Sequence, residues 1–291
     1  MSENEQVSVS RKAGALRSAL NIALNTDYAI NLWQGRPPEE EGEKEGKKKE
    51  RRQSLIFSMP AFIQKAGRIN ADSFNDNPYA DQKMLELETL LQSASVKMNE
   101  ELVALKKSMS MLPPQATISE VNCASPLNIG VFSRTPLGYR CVWLLVGFDQ
   151  LAMQAFQAAH YGFISRQELH RSLRRGGHLI RQIYGAAQKY RFFQVNRRDF
   201  ALQNAQYHEA IRNAGEIDEA VLLGQKRSSF SPPVSKESIE LLLAANAKAD
   251  KADKADKADK ADIVQSLEEP SEEQIVADPS LFVADSKRID G

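Results

Sequence analysis

LNIALNTDYAINLWQGR, running from Leu20 to Arg36, joins an alternating stretch directly to a helical one. In an extended chain Leu20, Ile22 and Leu24 point one way, and Asn21, Ala23 and Asn25 point the other. Thr26 or Asp27 then caps a helix that begins at Tyr28 and buries Ile30, Leu32 and Trp33. Gly35, Arg36 and the pair Pro37–Pro38 end it. Two readings of the amide-bearing face are open. It is either the solvated side of an ordinary edge strand or the face of a ribbon that meets DNA.

A strand of this length is not stable alone and needs a partner. LNIGVFSRTP, Leu127 to Pro136, repeats the same grammar: Leu127, Ile129 and Val131 alternate, and a Ser/Thr cap precedes a helix. Antiparallel pairing of the two stretches gives a two-stranded ribbon flanked by two helices. Thr117–Asn122 is a further extended candidate.

Helical signals dominate elsewhere. Asn77 caps and Pro78 opens a helix expected over 77–112, with Met84, Leu87, Leu91, Ala94 and Met98 spaced by threes and fours. Leu102, Leu105, Met109 and Leu112 resume that rhythm after a stutter. The stripe fits packing within the chain or a coiled-coil homodimer. Ser165 and Glu168 form a capping box, and Gly176–Gly177 reads as the end of that helix. A further helix follows with Leu179, Ile180, Ile183 and Tyr184 on one side, then one capped by Asn196 and ended by Gly215.

The expected fold is therefore mainly α with a small β component: a helical domain with a ribbon-like element and one long helix. The expected organisation is a disordered N-terminus over 1–13, one domain over 14–233 and a short helix over 234–247. The charged stretch 37–54 is a solvated insertion in that domain, and 248–291, with its KAD repeat, is a low-complexity acidic tail.

The net charge of zero hides an uneven distribution. Residues 115–235 hold 14 basic against 8 acidic side chains, and residues 236–291 hold 8 against 14. A basic middle suits an anionic partner, or a tail that folds back on it. Its densest part, Phe163 to Phe200, includes Arg171, Arg174, Arg175, Arg181, Arg197 and Arg198, interleaved with Tyr184, Tyr190, Phe192 and Phe193. Arginines at this density suit phosphate contacts, which supply affinity without sequence readout. Readout then falls to the ribbon, because two strands fit the major groove and Asn can pair an adenine edge. The candidates for base contacts are Arg17, Asn21 and Asn25 from the first strand and Asn128 from the second.

Enzyme signatures are missing: there is no P-loop, dinucleotide fingerprint, nucleophile elbow or His-Glu-x-x-His. Neither Cys123 and Cys141 nor the four histidines have metal-ligand spacing, so no catalytic residue, metal, cofactor or small-molecule substrate is expected. The apolar run Cys141–Phe148 is too short to span a bilayer, and the N-terminus lacks a secretory core. A cytoplasmic protein with no membrane partner is the expectation.

GALRSALNIALNTDYAINLWQGR, the capped helix after NPYAD, and SRTPLGYRCVWLLVGFDQLAMQAFQAAHYGFISRQEL occur here in that order. Together they resemble the AcaB-like family of integrating conjugative elements and conjugative plasmids, over roughly Gly14–Pro233. The resemblance implies a mobile-element transcriptional regulator related to ribbon-helix-helix proteins; it carries over no functional residue. The length departs from a minimal ribbon-helix-helix unit, so the analogy covers only part of the fold. The expected function is a DNA-binding regulator acting on promoter DNA of its element. The alternative is a non-enzymatic adaptor of the element that works through protein partners.

Overall fold

The computed structural model describes residues 20–36, 57–248 and 251. The expected N-terminal segment 1–13, the insertion over 37–54 and nearly all of the tail lie outside the described residues, as does Arg17. The fold is mainly helical with one two-stranded antiparallel sheet, as expected.

Strand β1 (Leu20–Leu24) pairs with β2 (Leu127–Val131), with Leu20 opposite Val131 and Leu24 opposite Leu127. Ile22, Leu24 and Val131 are buried on one side, whereas Asn21, Ala23, Asn128 and Gly130 are exposed on the other. Period-two alternation is what places them so. Each strand leads into a helix capped by a threonine. Thr26 accepts from Ala29 N–H to open α1 (Asp27–Gln34), and Thr135 accepts from Gly138 N–H to open α4 (Pro136–His160).

Helix α4 buries somewhat more than half of its circumference, through Cys141, Leu144, Leu145, Phe148, Leu151 and Ala155 among others. An apolar face this wide meets several neighbours at once. Around it pack α1, α2 (Met59–Phe74), α3 (Pro78–Met109), α5 (Arg166–Gln188) and the ribbon. Arg140 lies beside Glu88 and Gln92, and Met98 meets Gly147, so α3 and α4 run in the same direction.

The long helix is shorter at its end than expected, closing at Met109. Its stripe of Met84, Leu87, Leu91, Ala94, Met98 and Leu105 is buried within the chain. The heptad-like spacing thus packs α3 inside its own bundle, and a coiled-coil homodimer along this stripe is not available.

The glycine pair does not end a helix. Helix α5 runs unbroken through Gly176 and Gly177, and a Cβ on Gly176 would come within 2.5 Å of the Phe148 ring. Gly176 is there for close approach of α5 to α4, not as a break.

Beyond α5 a second apolar cluster gathers Val195, Phe200, Ala210 and Leu242 around Tyr79 at the start of α3. The helix expected after Asn196 is two helices, α6 (Arg197–Leu202) and α7 (Ala205–Ala214). Gln203 adopts a left-handed conformation between them, and Asn204 caps α7 by accepting from Tyr207 N–H. A short helix, α8 (Glu219–Leu222), and a helical run over 236–248 follow. The expected strand at Thr117–Asn122 has no regular structure. By contacts the chain divides into Met1–Leu243 and Ala244–Gly291.

Candidate nucleic-acid interface

The ribbon's open side carries small and amide-bearing groups. Asn21 stands opposite Gly130, and Asn128 stands opposite Ala23. A Cβ at Gly130 would lie 3.6 Å from Asn21 Oδ1, so the glycine leaves the Asn21 amide lying over bare backbone. Both asparagines are exposed.

Asn25 does not join them. Its backbone N–H and its side-chain amide both donate to Asp149 Oδ2, at 2.8 and 2.9 Å. Thr26 donates its N–H and hydroxyl to Asp149 Oδ1, at 2.9 and 2.7 Å. A buried carboxylate needs such donors, so the half-buried Asn25 amide is held against Asp149 and is less free to meet a base than Asn21 or Asn128.

Helix α5 is positioned by Leu169, Leu173, Ile180, Ile183 and Tyr184, which face the core. At about 100° per residue, the exposed Arg166, His170, Arg171, Arg174, Arg175, His178 and Arg181 fall within roughly half the circumference. Arg175 is paired with Glu101 of α3 at 2.9 Å. Arg171, Arg174 and Arg181 have no ion pair among the described residues. Gly185 falls in the middle of the same arc, with nothing within 4 Å of where a Cβ would stand.

Arg197 and Arg198 part company. Arg198 is exposed. Arg197 is fully buried and donates to Asp76 at 2.8 Å, to Asp81 at 2.6 Å and to the carbonyls of Val221 and Leu222. Asp81 also accepts from Arg227 at 3.0 Å and from the Ser73 hydroxyl. Arg197 ties the second cluster to the start of α3 and cannot reach a phosphate, which corrects that expectation.

The interleaved aromatics are also mostly structural. Tyr184 donates to Leu32 carbonyl, Tyr190 donates to Asp72, and Phe193 packs on Tyr79. Burial, followed by the Asp72 hydrogen bond, pushes the Tyr190 hydroxyl far above its ordinary pKa. Phe192 alone of the four is exposed.

The sequence reading passed over Arg134. After β2 the alternation continues, with Phe132 and Arg134 exposed and Ser133 and Thr135 buried. Arg134 thus extends the side that holds Asn128 and Gly130, a signal available in the period-two pattern itself.

No group of three or more His, Cys, Asp or Glu among the described residues is arranged to hold a metal ion. Among the same residues, no helix is long and apolar enough to cross a membrane.

The protein is thus a helical bundle that exposes one side of a two-stranded ribbon and one arginine-rich helix face. Residues 12–235 match the family described as transcriptional regulator AcaB, and the chain belongs to that family. Among solved structures it is similar to the crystal structure of selenomethionine-containing AcaB from uropathogenic E. coli. The likeness is at 10% identity with a TM-score of 0.46, over 73% of this chain and 98% of that one. No curated protein matches the chain.

Proposed function

We propose that this member of the family is a DNA-binding transcriptional regulator of a bacterial integrating conjugative element or plasmid, acting on promoter DNA. The observation that carries the reading is the solvent face of α5, where Arg171, Arg174 and Arg181 stand exposed and form no ion pair among the described residues, with Glu168 the one carboxylate whose charge acts on Arg171 there. Such a face suits the phosphate backbone, and the open position at Gly185 lets a strand come close to the helix. Arg175, already paired to Glu101, and Arg198 add weaker contacts. Base readout falls to Asn21 and Asn128 on the open side of the ribbon, whose width suits the major groove. Arg17, ahead of the ribbon, belongs to the same reading from its place in the sequence.

The test is fluorescence anisotropy on promoter DNA from the chain's own element, with a scrambled duplex as control and a salt titration. Tight promoter binding is expected, falling steeply with salt. Arg171→Ala with Arg174→Ala should lower the salt slope by about two on both duplexes. Asn21→Ala with Asn128→Ala should weaken the promoter complex and leave the scrambled one unchanged. Absence of binding at low salt overturns the DNA reading in favour of a protein-partner role.

A further inference from the structure

Beside the ribbon lies a groove of about 910 Å³, formed where α1, α2 and the end of β2 meet. Its walls include Trp33 from α1, Ile63, Gly67 and Arg68 from α2, and Phe132 and Arg134 just past β2. The volume is that of a small-molecule site. Most of the lining is apolar, and Phe132 at its edge is 74% exposed. The two charged side chains on the walls are both arginines, and no carboxylate lines it among the described residues.

Gly67 is the second observation. It sits in the interior of α2, where glycine weakens a helix relative to alanine. Neither ordinary reason for a glycine applies here. Its φ is not positive, and no atom lies within 4 Å of where its Cβ would be, so no neighbouring element requires its smallness. What the missing side chain does is keep the groove open. An apolar trough with two exposed guanidinium groups and a cleared floor matches one kind of occupant. Arginine binds carboxylates through paired N–H donors, while the aromatic and aliphatic walls take a hydrocarbon body.

We propose that this groove binds a small organic anion, a carboxylate on an aromatic or aliphatic skeleton, with Arg68 and Arg134 holding the carboxylate and Trp33, Ile63 and Phe132 enclosing the body. A phosphodiester backbone meets the arginines equally well but offers nothing to the apolar walls, so DNA is the poorer occupant. The groove shares Gly130 and Arg134 with the open side of the ribbon, but the proposal does not rest on the DNA reading and its test involves no DNA.

The chain has two tryptophans, so Trp143→Phe leaves Trp33 as the single fluorescent reporter in the groove. The full chain carrying that change is titrated with 4-phenylbutyrate and, in parallel, with the neutral 4-phenylbutyramide. A saturable change in Trp33 emission is expected for the acid, with binding of the amide weaker by at least about tenfold. Gly67→Leu should abolish the change while leaving the melting temperature level or higher. Arg68→Gln with Arg134→Gln, both surface positions, should erase the preference for the acid. Equal binding of acid and amide, undiminished binding in Gly67→Leu, or no saturable change in the parent protein would each overturn the proposal.

Discussion

The Asp149 carboxylate grips Thr26 twice, through its backbone N–H at 2.9 Å and its hydroxyl at 2.7 Å. Asn25 gives the same carboxylate two more donors. The residue that caps α1 is thereby fixed to the central helix α4, and β1 ends at this junction. A single buried acid sets where the ribbon stands on the bundle.

Asp149→Asn should therefore destabilise the protein by about 3 kcal/mol, because an amide cannot accept four hydrogen bonds and the buried N–H groups lose their partner. Urea unfolding measures the loss. Hydrogen exchange should show it first at the amides of Asn25 and Thr26, which lose their acceptor. A uniform rise in exchange across α3 and α5 instead would place the clamp's effect on the whole bundle.

Two adjacent arginines should behave in opposite ways. Arg197→Met leaves Asp76 and Asp81 short of a buried cation and is expected to cost about 3–5 kcal/mol. Arg198→Ala, on the surface, should change stability by no more than about 0.5 kcal/mol. Paired chemical denaturation curves distinguish them, and equal losses would contradict the burial difference.

Glycines in α5 offer a contrast in sign. Gly176→Ala puts a methyl against Phe148 and should cost about 1 kcal/mol net, the overpacking outweighing the gain in helix propensity. Gly185→Ala meets open space and should gain up to about 1 kcal/mol. Thermal melts of the two single variants suffice. A stabilised Gly176→Ala would mean that α4 and α5 can separate at little cost.

Glu88 links α3 to Ser229, accepting from its N–H at 2.8 Å and from its hydroxyl. Burial works to raise its carboxyl, but the hydrogen bonds from Ser229 and Ser228, with Arg140 nearby, outweigh it and hold the pKa below the ordinary 4.5. A depressed folded pKa contributes stability that is present above the unfolded value and lost as pH falls through the folded one. The stability gap between the parent and Glu88→Gln should hold from about pH 5 to 7 and narrow progressively as pH falls below the ordinary carboxylate range. A gap that widens on acidification would reverse the sign assigned here.

Much of the fold was legible because local rules point outward from single residues. Alternation of Leu20, Ile22 and Leu24, matched at Leu127, Ile129 and Val131, specified the ribbon, and its antiparallel pairing follows. The caps at Asn77, Ser165 and Asn196 were readable from residue type and spacing, and those at Thr26 and Thr135 to within a choice of neighbouring residues. Asn204 was missed because it lies inside what looked like a continuous helix, and only the left-handed turn at Gln203 makes it a cap.

Sequence by itself determined the ribbon strands, the capped helix starts and which side of each is apolar, since periods of 2 and 3.6 are properties of the chain. What covers a side is decided elsewhere. Arg197 and Arg198 look alike as neighbours, yet one meets carboxylates from Asp76 and Asp81, more than a hundred positions earlier, and the other meets water. Gly176 reads as a break until Phe148 is brought against it, and Asn25 reads as an exposed amide until Asp149 arrives beneath it. Burial and ion pairing depend on contacts between distant segments, and those belong to the tertiary structure alone.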